Sequence, residues 1–472
     1  MSSREQVPNE LWLDIFRYLP TETIKELTLT YTRFKGISRP LLFDHFDFCA
    51  NGISRGLDFL PESPEFNRLL ERLDFWCSAE IAPHVRSCKI CPWQKMAVLP
   101  NGFPDSAHTL LFLFLERLGR FTGLQSLHAR GVYLTQSGIA NMCRAPALFD
   151  VQLVRCSIAP GQSIDTTSLN LGVSKFSFTD GVTDDGAVGL WLPLLRTDFL
   201  RTLELVCHPR IFGEDMAAIP SFPHMHKLTI TLNLSTMSYN LAILSKFPAV
   251  QSLSVSSWGE IQAGPGAPME PSDVLPVLRR YTGSCETIAL FAQRSTLTHL
   301  SVQYCPTRDF TTRLHDLQGP SCVTSLDVTF DNLDMATLGT LCAVFPSLTE
   351  LRIGITCEIE EDDFVDAKET ATEFFAELKD FPTLPGGLQR LAITWKFEYE
   401  GSDGVPFERA IIPDFSELRD ALVARCPALT TLWLDGEDYL FDWRKSVDGV
   451  EKEFITADED EARERRKESP TF

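Results

Sequence analysis

Four residues in the first quarter of the chain are of types that bind soft metal ions. Cys88 and Cys91 form a C-x-x-C pair, and Cys77 and His84 lie shortly before it. A structural zinc site usually combines two spaced ligand pairs, and the second pair is missing here. Cys88 also alternates with Ile90 as the apolar side of a predicted strand. We therefore assign Cys88 to the core and predict no metal site.

Acidic side chains are concentrated between Glu358 and Asp366, where six carboxylates lie close together. Such a cluster could bind a cation, but the run has no glycine and lacks the ligand spacing of a calcium loop. A solvated insertion, or a surface for a basic partner, is the better interpretation.

Motifs of common enzyme classes do not occur in the sequence. There is no phosphate-binding loop, dinucleotide fingerprint, nucleophile elbow or metalloprotease helix motif. The nine histidines are dispersed, and no order of Cys, His and Asn suggests a thiol enzyme. We therefore predict no enzyme activity, no catalytic residues and no cofactor.

The overall composition excludes other classes of partner. A formal net charge of −21 disfavours binding to nucleic acid or to an anionic membrane, because both need a positive field. The longest apolar run, Leu110–Leu115, is far too short to span a membrane, and the first ten residues lack the apolar core of a signal peptide. The 13 cysteines are scattered and often lie in apolar segments, which suits a reducing compartment. We expect a cytoplasmic and/or nuclear protein.

One apolar pattern, Leu-x-x-Leu-x-Leu with other apolar residues replacing some leucines, recurs at a spacing of about 25 residues. The units begin at Leu124, Leu148, Val173, Leu200, Met225, Val250, Leu297, Val323, Leu348, Leu388 and Leu429. A similar pattern through Val85, Cys88 and Ile90 marks the start of the repeats. Wider spacings in the second half indicate insertions or degenerate units.

Prolines reinforce the same period, since each of five stands two residues before a unit begins. They are Pro146, Pro223, Pro248, Pro346 and Pro427. Proline cannot continue a helix and favours an extended predecessor, so it marks the return from helix to strand. Helical apolar faces precede these prolines, for example Leu338, Leu341 and Val344. Each unit is therefore a strand, a turn and a helix, and stacked units predict an α/β fold with a curved parallel sheet inside and helices outside.

Three segments interrupt the period and are predicted to be insertions, near 258–284, 357–381 and 396–413. The first contains a Gly- and Pro-rich half followed by a helical pattern, LPVLRRY. The last residues, 448–472, mix both charge signs with few apolar residues, which is typical of a disordered tail. The repeats accordingly occupy 81–447.

The residues before the repeats form a different pattern. Pro8 opens a helical stripe with Leu11, Ile15 and Leu19, which Phe16 broadens. Two further short amphipathic segments follow, and such a small unit is expected to leave an apolar face for a partner. Residues 46–80 then supply a connector and one docking helix.

This N-terminal stretch resembles an F-box. The matching residues are Val7-Pro8-x-Glu10-Leu11, Ile15-Phe16-x-x-Leu19-Pro20, Arg33-Phe34 and Pro40-Leu41-Leu42-Phe43. The family usually has leucine at position 7 and an aromatic residue slightly after position 34, but both departures keep an apolar side chain. The repeats are similar to the irregular leucine-rich repeats of many fungal F-box proteins.

The resemblance implies a three-helix F-box at 1–45 followed by a leucine-rich repeat solenoid. It also implies a substrate-recognition subunit of a cullin-based SCF ubiquitin ligase. In that family the F-box binds the Skp adaptor, and through it cullin, while the remaining chain binds a protein substrate. The residues expected to contact the adaptor are Pro8, Leu11, Ile15, Phe16 and Leu19.

Substrate binding is expected on the concave side of the repeat strands, where the residues between the apolar positions point outward. The candidates are His128, Glu204, His299, Asp327, Arg352, Arg390, Trp433 and Asp435. Trp433 is expected to be an exposed recognition residue, because aromatic residues are enriched at binding hot spots. The alternative hypothesis is a leucine-rich repeat scaffold outside any ligase, whose N-terminal helices cap the repeats.

Overall fold

The structure is a computed structural model of the 472-residue chain. It describes residues 8–51, 64–93, 105–179, 187–206, 219–233, 243–258, 274–315, 317, 321–359, 372–399, 414–436, 439–446 and 448–467. The chain divides into two compact units. The first comprises Met1–Asn233 with Ala242–Pro248, and the second comprises Leu234–Leu241 with Ala249–Phe472.

The first unit begins with three short helices, α1 (Asn9–Arg17), α2 (Thr21–Thr30) and α3 (Thr32–Leu42). Pro8 occupies the N-cap position of α1, one residue before the helix begins, and Pro20 occupies the N-cap position of α2. A hydroxyl hydrogen bond of 2.8 Å between Thr28 and the buried Ser38 connects α2 to α3.

A fourth helix, α4 (Pro64–Trp76), joins these helices to the sheet. Trp76 packs edge-on against Phe43, just after α3, and stacks on Phe46 in the first strand at a centroid distance of 4.4 Å. Arg39 of α3 also pairs with Glu80 at 2.6 Å. A helix therefore occupies the segment in which a docking helix was predicted.

The strands of the first unit are, in chain order, β1 (His45–Asn51), β2 (Ser87–Trp93), β3 (Ser126–Arg130), β4 (Tyr133–Leu134), β5 (Asp150–Val154), β6 (Ser157–Ile158), β7 (Lys175–Thr179), β8 (Thr202–Val206) and β9 (Lys227–Asn233). All except β4 and β6 form one parallel sheet in sequence order, and β4 and β6 pair separately. The intervening helices are α5 (Asp105–Arg117), α6 (Gln136–Arg144) and α7 (Ala187–Leu194).

The repeated apolar positions stand side by side across this sheet. Leu127, Val151, Phe176, Leu203 and Leu228 are successive partners in the strand register, and all five are fully buried. Full burial of one such side chain stabilises the fold by about 1.5–3 kcal/mol. One repeat is therefore the length of chain between successive residues of the same buried row.

The second unit contains β10 (Ser252–Trp258), β11 (Arg280–Gly283), β12 (His299–Cys305), β13 (Ser325–Phe330), β14 (Glu350–Ile359), β15 (Arg390–Tyr399), β16 (Thr431–Asp435), β17 (Leu440–Lys445) and β18 (Glu451–Thr456). Strands β10 to β16 are parallel in sequence order, and β16, β17 and β18 are antiparallel. The helices are α8 (Ile288–Phe291), α9 (Thr307–His315), α10 (Met335–Val344), α11 over 372–378, α12 (Phe415–Arg425) and α13 (Glu459–Arg466).

Local signals explain where several helices begin and end. Thr135 accepts a hydrogen bond from the Gly138 amide at the start of α6, and Asp334 accepts one from the Thr337 amide at the start of α10. Such caps satisfy amides that have no partner within the helix. Pro427 follows directly after Cys426, the C-cap of α12, so the predicted role of these prolines is confirmed there.

All eleven predicted repeat strands are present, but the sequence missed strands at both ends and one in the middle. Strand β1 precedes the predicted first repeat, and β11 lies where a helical LPVLRRY was expected. Tyr281 and Gly283 take the last two apolar positions of that degenerate unit. The predicted disordered tail is wrong for Glu451–Thr456 and Glu459–Arg466, which form β18 and α13. The Gly- and Pro-rich half of the first insertion, about half of the second and most of the third lie outside the described residues.

Candidate functional site

The most prominent exposed apolar surface of the described residues lies on α1. Leu11 is 53% exposed, Ile15 is 46% exposed and Tyr18, at the helix C-cap, is 90% exposed. These residues are spaced by four and three positions, so they share one side of the helix. We call Leu11, Ile15 and Tyr18 the α1 face. Soluble proteins rarely leave several large apolar side chains together without a partner.

The opposite side of α1 forms part of the core of the three N-terminal helices. Phe16 is only 1% exposed, and its ring lies 5.3 Å from that of Phe34 on α3. Trp12 contacts both rings, at centroid distances of 6.0 and 4.9 Å. Phe16 therefore cannot be the adaptor contact that the sequence suggested, because α3 already covers it.

The remaining predicted adaptor contacts are placed differently from one another. Pro8 is exposed at the start of α1, and Leu19, just after the helix, is half-buried. Tyr18 was not among the predicted contacts, although its spacing of seven from Leu11 could have identified it. Leu29 and Tyr31 add exposed apolar side chains around the end of α2.

Replacement of Phe16 by alanine is expected to lower the free energy of unfolding by about 3–5 kcal/mol, the usual cost of deleting a buried phenylalanine ring. Leu11→Ala should change it by less than about 0.5 kcal/mol, because that side chain is largely hydrated already. Urea unfolding followed by circular dichroism would measure both. Equal destabilisation by the two changes would contradict the assignment of inner and outer sides.

The polar face of the strands is the second candidate surface; it carries the residues that alternate with the buried repeat positions. In the first unit, Lys89, His128, Gln152, Ser177 and Glu204 form one row across five strands. His128 and Glu204 are half-buried. Burial, followed by the positive charges of Lys89 and Arg130, lowers the pKa of His128, so its imidazole is neutral at pH 7.

In the second unit the polar face carries both signs of charge. Asp327 and Arg352 are neighbours in the register of β13 and β14, and burial raises the pKa of Asp327 while Arg352 opposes this shift. Arg390 forms an ion pair with Glu350 on the adjacent strand. His299 is half-buried on β12, and burial is the main reason why its pKa is lowered. All four predicted residues therefore lie on this face, in two neighbouring rows.

Trp433 and Asp435 lie on the same face but are not exposed, which corrects the sequence prediction. Trp433 is 2% exposed and packs in one cluster with Ala392, Leu440 and Ala462, the last from α13. The C-terminal helix thus covers the polar face at its last strands. A side chain covered in this way is part of the core and is unavailable as a recognition residue.

The covering helix is held by two buried carboxylates. Arg466 donates two hydrogen bonds to Asp435, at 2.9 and 2.8 Å, and Arg465 donates two to Asp442, at 3.0 and 2.6 Å. Arg444 donates a third to Asp442 at 2.8 Å. The Arg466–Asp435 contact is bidentate, which is the strong form of charge-assisted hydrogen bonding. Both Arg465 donors instead bind one oxygen of Asp442, and Arg444 binds the other oxygen. Sequence reasoning missed Asp442 and both arginines, because the pairing joins segments that are distant along the chain.

The C-x-x-C cysteines do not converge. Cys88 is fully buried on the core side of β2, whereas Cys91, three residues later, lies on the opposite side and is half-buried. Among the described residues there is no group of three or more His, Cys, Asp or Glu that could hold a metal ion.

No helix within the described part of the chain has the length and apolar character needed to cross a membrane. Comparison of the sequence with protein-family models finds no match, and comparison with curated proteins finds no similar sequence. Function is therefore inferred from the α1 face and from the polar face of the strands.

Proposed function

We propose that this chain is a substrate-recognition subunit of a cullin-based SCF ubiquitin ligase. In this proposal the N-terminal helices form an F-box that binds the Skp adaptor, and the leucine-rich repeats bind a target protein. The observation that carries the proposal is the α1 face, where Leu11, Ile15 and Tyr18 are exposed although the same small helix buries Phe16. The F-box resemblance of the sequence gives this face its expected partner.

The alternative is a leucine-rich repeat scaffold whose helices serve only as a cap. A cap uses its apolar residues internally, and α3 and α4 do pack on the first strand through Phe43, Phe46 and Trp76. The α1 face has no part in those contacts. Exposed apolar residues on the helix farthest in sequence from the sheet favour a binding role over a purely structural one.

Target binding is assigned to the part of the polar face that α13 leaves accessible. Asp327, Arg352 and the Glu350–Arg390 pair offer charged groups of both signs there. Alternating charges favour one orientation of a partner and penalise wrong ones, so they suit selective recognition. The chain itself would contribute proximity between target and ligase rather than bond chemistry.

The test is binding of the purified full-length chain to the Skp adaptor. Leu11→Asp combined with Ile15→Asp should weaken binding about 100-fold or more, since hot-spot residues each contribute about 2 kcal/mol or more. Because both positions are exposed, the fold should be retained, and circular dichroism would verify this.

A matched control is the double change Phe149→Asp with Phe199→Asp, which places the same charges at similarly exposed apolar positions of the first unit. It should bind the adaptor as tightly as the unchanged chain. Failure of the unchanged chain to bind, or undiminished binding by the Leu11 and Ile15 variant, would overturn the proposal and leave the scaffold hypothesis.

A further inference from the structure

Two cysteines stand side by side on the first two strands. Cys49 of β1 and Cys91 of β2 are direct partners in the parallel register, and both are half-buried. Neighbouring strands are about 4.8 Å apart, and disulfides join residues whose Cα atoms are about 4.4–6.8 Å apart. The backbone therefore already holds this pair within bridging distance.

The surroundings of Cys91 favour its thiolate. A hydrogen bond from the Cys49 thiol, helped by the positive charges of Lys89 and Arg130, lowers the pKa of Cys91 to about 7, against opposing effects of burial and Asp47. His128, which also faces this side of the sheet, is neutral at pH 7. A thiolate is the reactive form of cysteine, and a nearby second thiol can resolve its oxidised form.

Other cysteines of the described residues lack this combination. Cys88 lies in the core, where burial raises its pKa and keeps the thiol protonated. Cys322 is exposed but lies far from Cys49 and Cys91 in the sequence and in the strand order. A structural role alone would not require two half-buried thiols in contact on the polar face of a sheet.

We propose that Cys49 and Cys91 form a reversible oxidation site that reacts with hydroperoxides. The Cys91 thiolate attacks a peroxide oxygen, the O–O bond breaks, and hydroxide leaves and takes up a proton to give water. The resulting Cys91 sulfenic acid is attacked by the Cys49 sulfur, the S–O bond breaks, and a second water leaves. The two thiols lose two electrons and the peroxide gains them, so a disulfide forms. This site goes beyond the proposed ligase function and does not depend on it.

The sequence allows the pair to be mapped without ambiguity. Trypsin cleavage after Lys89 and Lys95 releases residues 90–95, which contain Cys91 but not Cys88, and the peptide 36–55 contains Cys49 as its only cysteine. The full chain would be treated with hydrogen peroxide, free thiols would be alkylated, and the digest would be examined by mass spectrometry. We expect a cross-link between these two peptides that dithiothreitol removes.

Two variants test whether Cys91 is reactive or merely close to Cys49. Cys49→Ser keeps a hydrogen-bond donor beside Cys91 but removes the resolving thiol, so dimedone should trap the Cys91 sulfenic acid in it. Cys322→Ser should leave the cross-link unchanged. The proposal is overturned if peroxide oxidises Cys322 before any Cys49–Cys91 cross-link forms, or if Cys91 in Cys49→Ser is labelled no faster than Cys322.

Discussion

Replacing Asp442 by asparagine is expected to lower the free energy of unfolding of the second unit by about 3–5 kcal/mol, the range measured when one partner of a buried ion pair is removed. Asp442 is fully buried on β17 and accepts hydrogen bonds from Arg444 and Arg465. Asparagine has the same shape but no charge, and its amide nitrogen cannot accept. Two partly exposed guanidinium groups would therefore lose the buried carboxylate that they share.

Urea unfolding monitored by tryptophan fluorescence measures this effect, and a shift in Tm of about 6–15 °C should accompany it. The matched control is Glu464→Gln, the same change of carboxylate to amide on α13. Glu464 is exposed and, among the residues that the structure describes, pairs with Lys467, so its replacement should cost less than about 1 kcal/mol. An Asp442→Asn variant as stable as this control would show that the pair does not hold the helix.

A double-mutant cycle adds a direct measure of the contact. Arg465→Met and Asp442→Asn should be less destabilising together than the sum of their separate effects, because each change already breaks the same pair. Arg444 remains available to Asp442 in the Arg465 variant, so the coupling is expected to be smaller than the effect of Asp442→Asn alone. Full additivity would mean that the two side chains act independently.

The repeat strands could be predicted from sequence because the apolar pattern recurs in every unit and a second local signal, proline, coincides with it in five of them. The apolar spacing identifies the strand, and a proline before it marks the end of the preceding helix, as Pro346 does before Leu348. Strand β11 was not predicted because Tyr281 and Gly283 stand where the pattern has aliphatic residues. Strand β1 was not predicted, although Phe43-x-x-Phe46-x-Phe48 fits the pattern, because it precedes the equivalent positions of β2 by far more than the usual spacing of about 25 residues.

The orientation of residues around α1 was harder to predict for a geometric reason. A spacing of four residues advances about 40° beyond one turn, and α1 ends at Arg17, so Leu19 lies beyond the helix and does not continue the side of Leu11 and Ile15. A spacing of seven falls only about 20° short of two turns, which places Tyr18 beside Leu11. Sequence patterns locate an apolar stripe, but tertiary packing decides which edge of it a neighbouring helix covers.

The C-terminal segment shows a second limit of local reasoning. Its mixed charges are typical of disorder, yet Arg465 and Arg466 are paired with acids on β17 and β16. A charge that looks solvated within its own segment can be neutralised by a residue far away in the chain. The amino-acid composition gives the number of charges but not the residues that pair with them.

Replacement of Trp433 by alanine decides between a binding residue and a packing residue. Removal of an exposed recognition residue would change the free energy of unfolding little. Trp433 is instead buried against Ala392, Leu440 and Ala462. Its truncation should therefore lower the free energy of unfolding by about 3–5 kcal/mol, because the protein loses the burial of the ring and is left with a cavity. The same change should loosen α13, since Ala462 loses the surface on which it packs.

Two measurements test this expectation separately. Urea unfolding reports the stability, with Tyr18→Ala as the control, an exposed aromatic residue whose loss should change it by less than about 0.5 kcal/mol. Limited trypsin digestion reports release of α13, because Arg463, Arg465 and Arg466 become cleavable once the helix detaches. A Trp433→Ala chain with unchanged stability and unchanged cleavage would contradict the buried assignment. Loss of stability together with faster cleavage would show that the chain's own C-terminal helix covers the last strands of the polar face. The proposed target would then bind farther toward β12–β15.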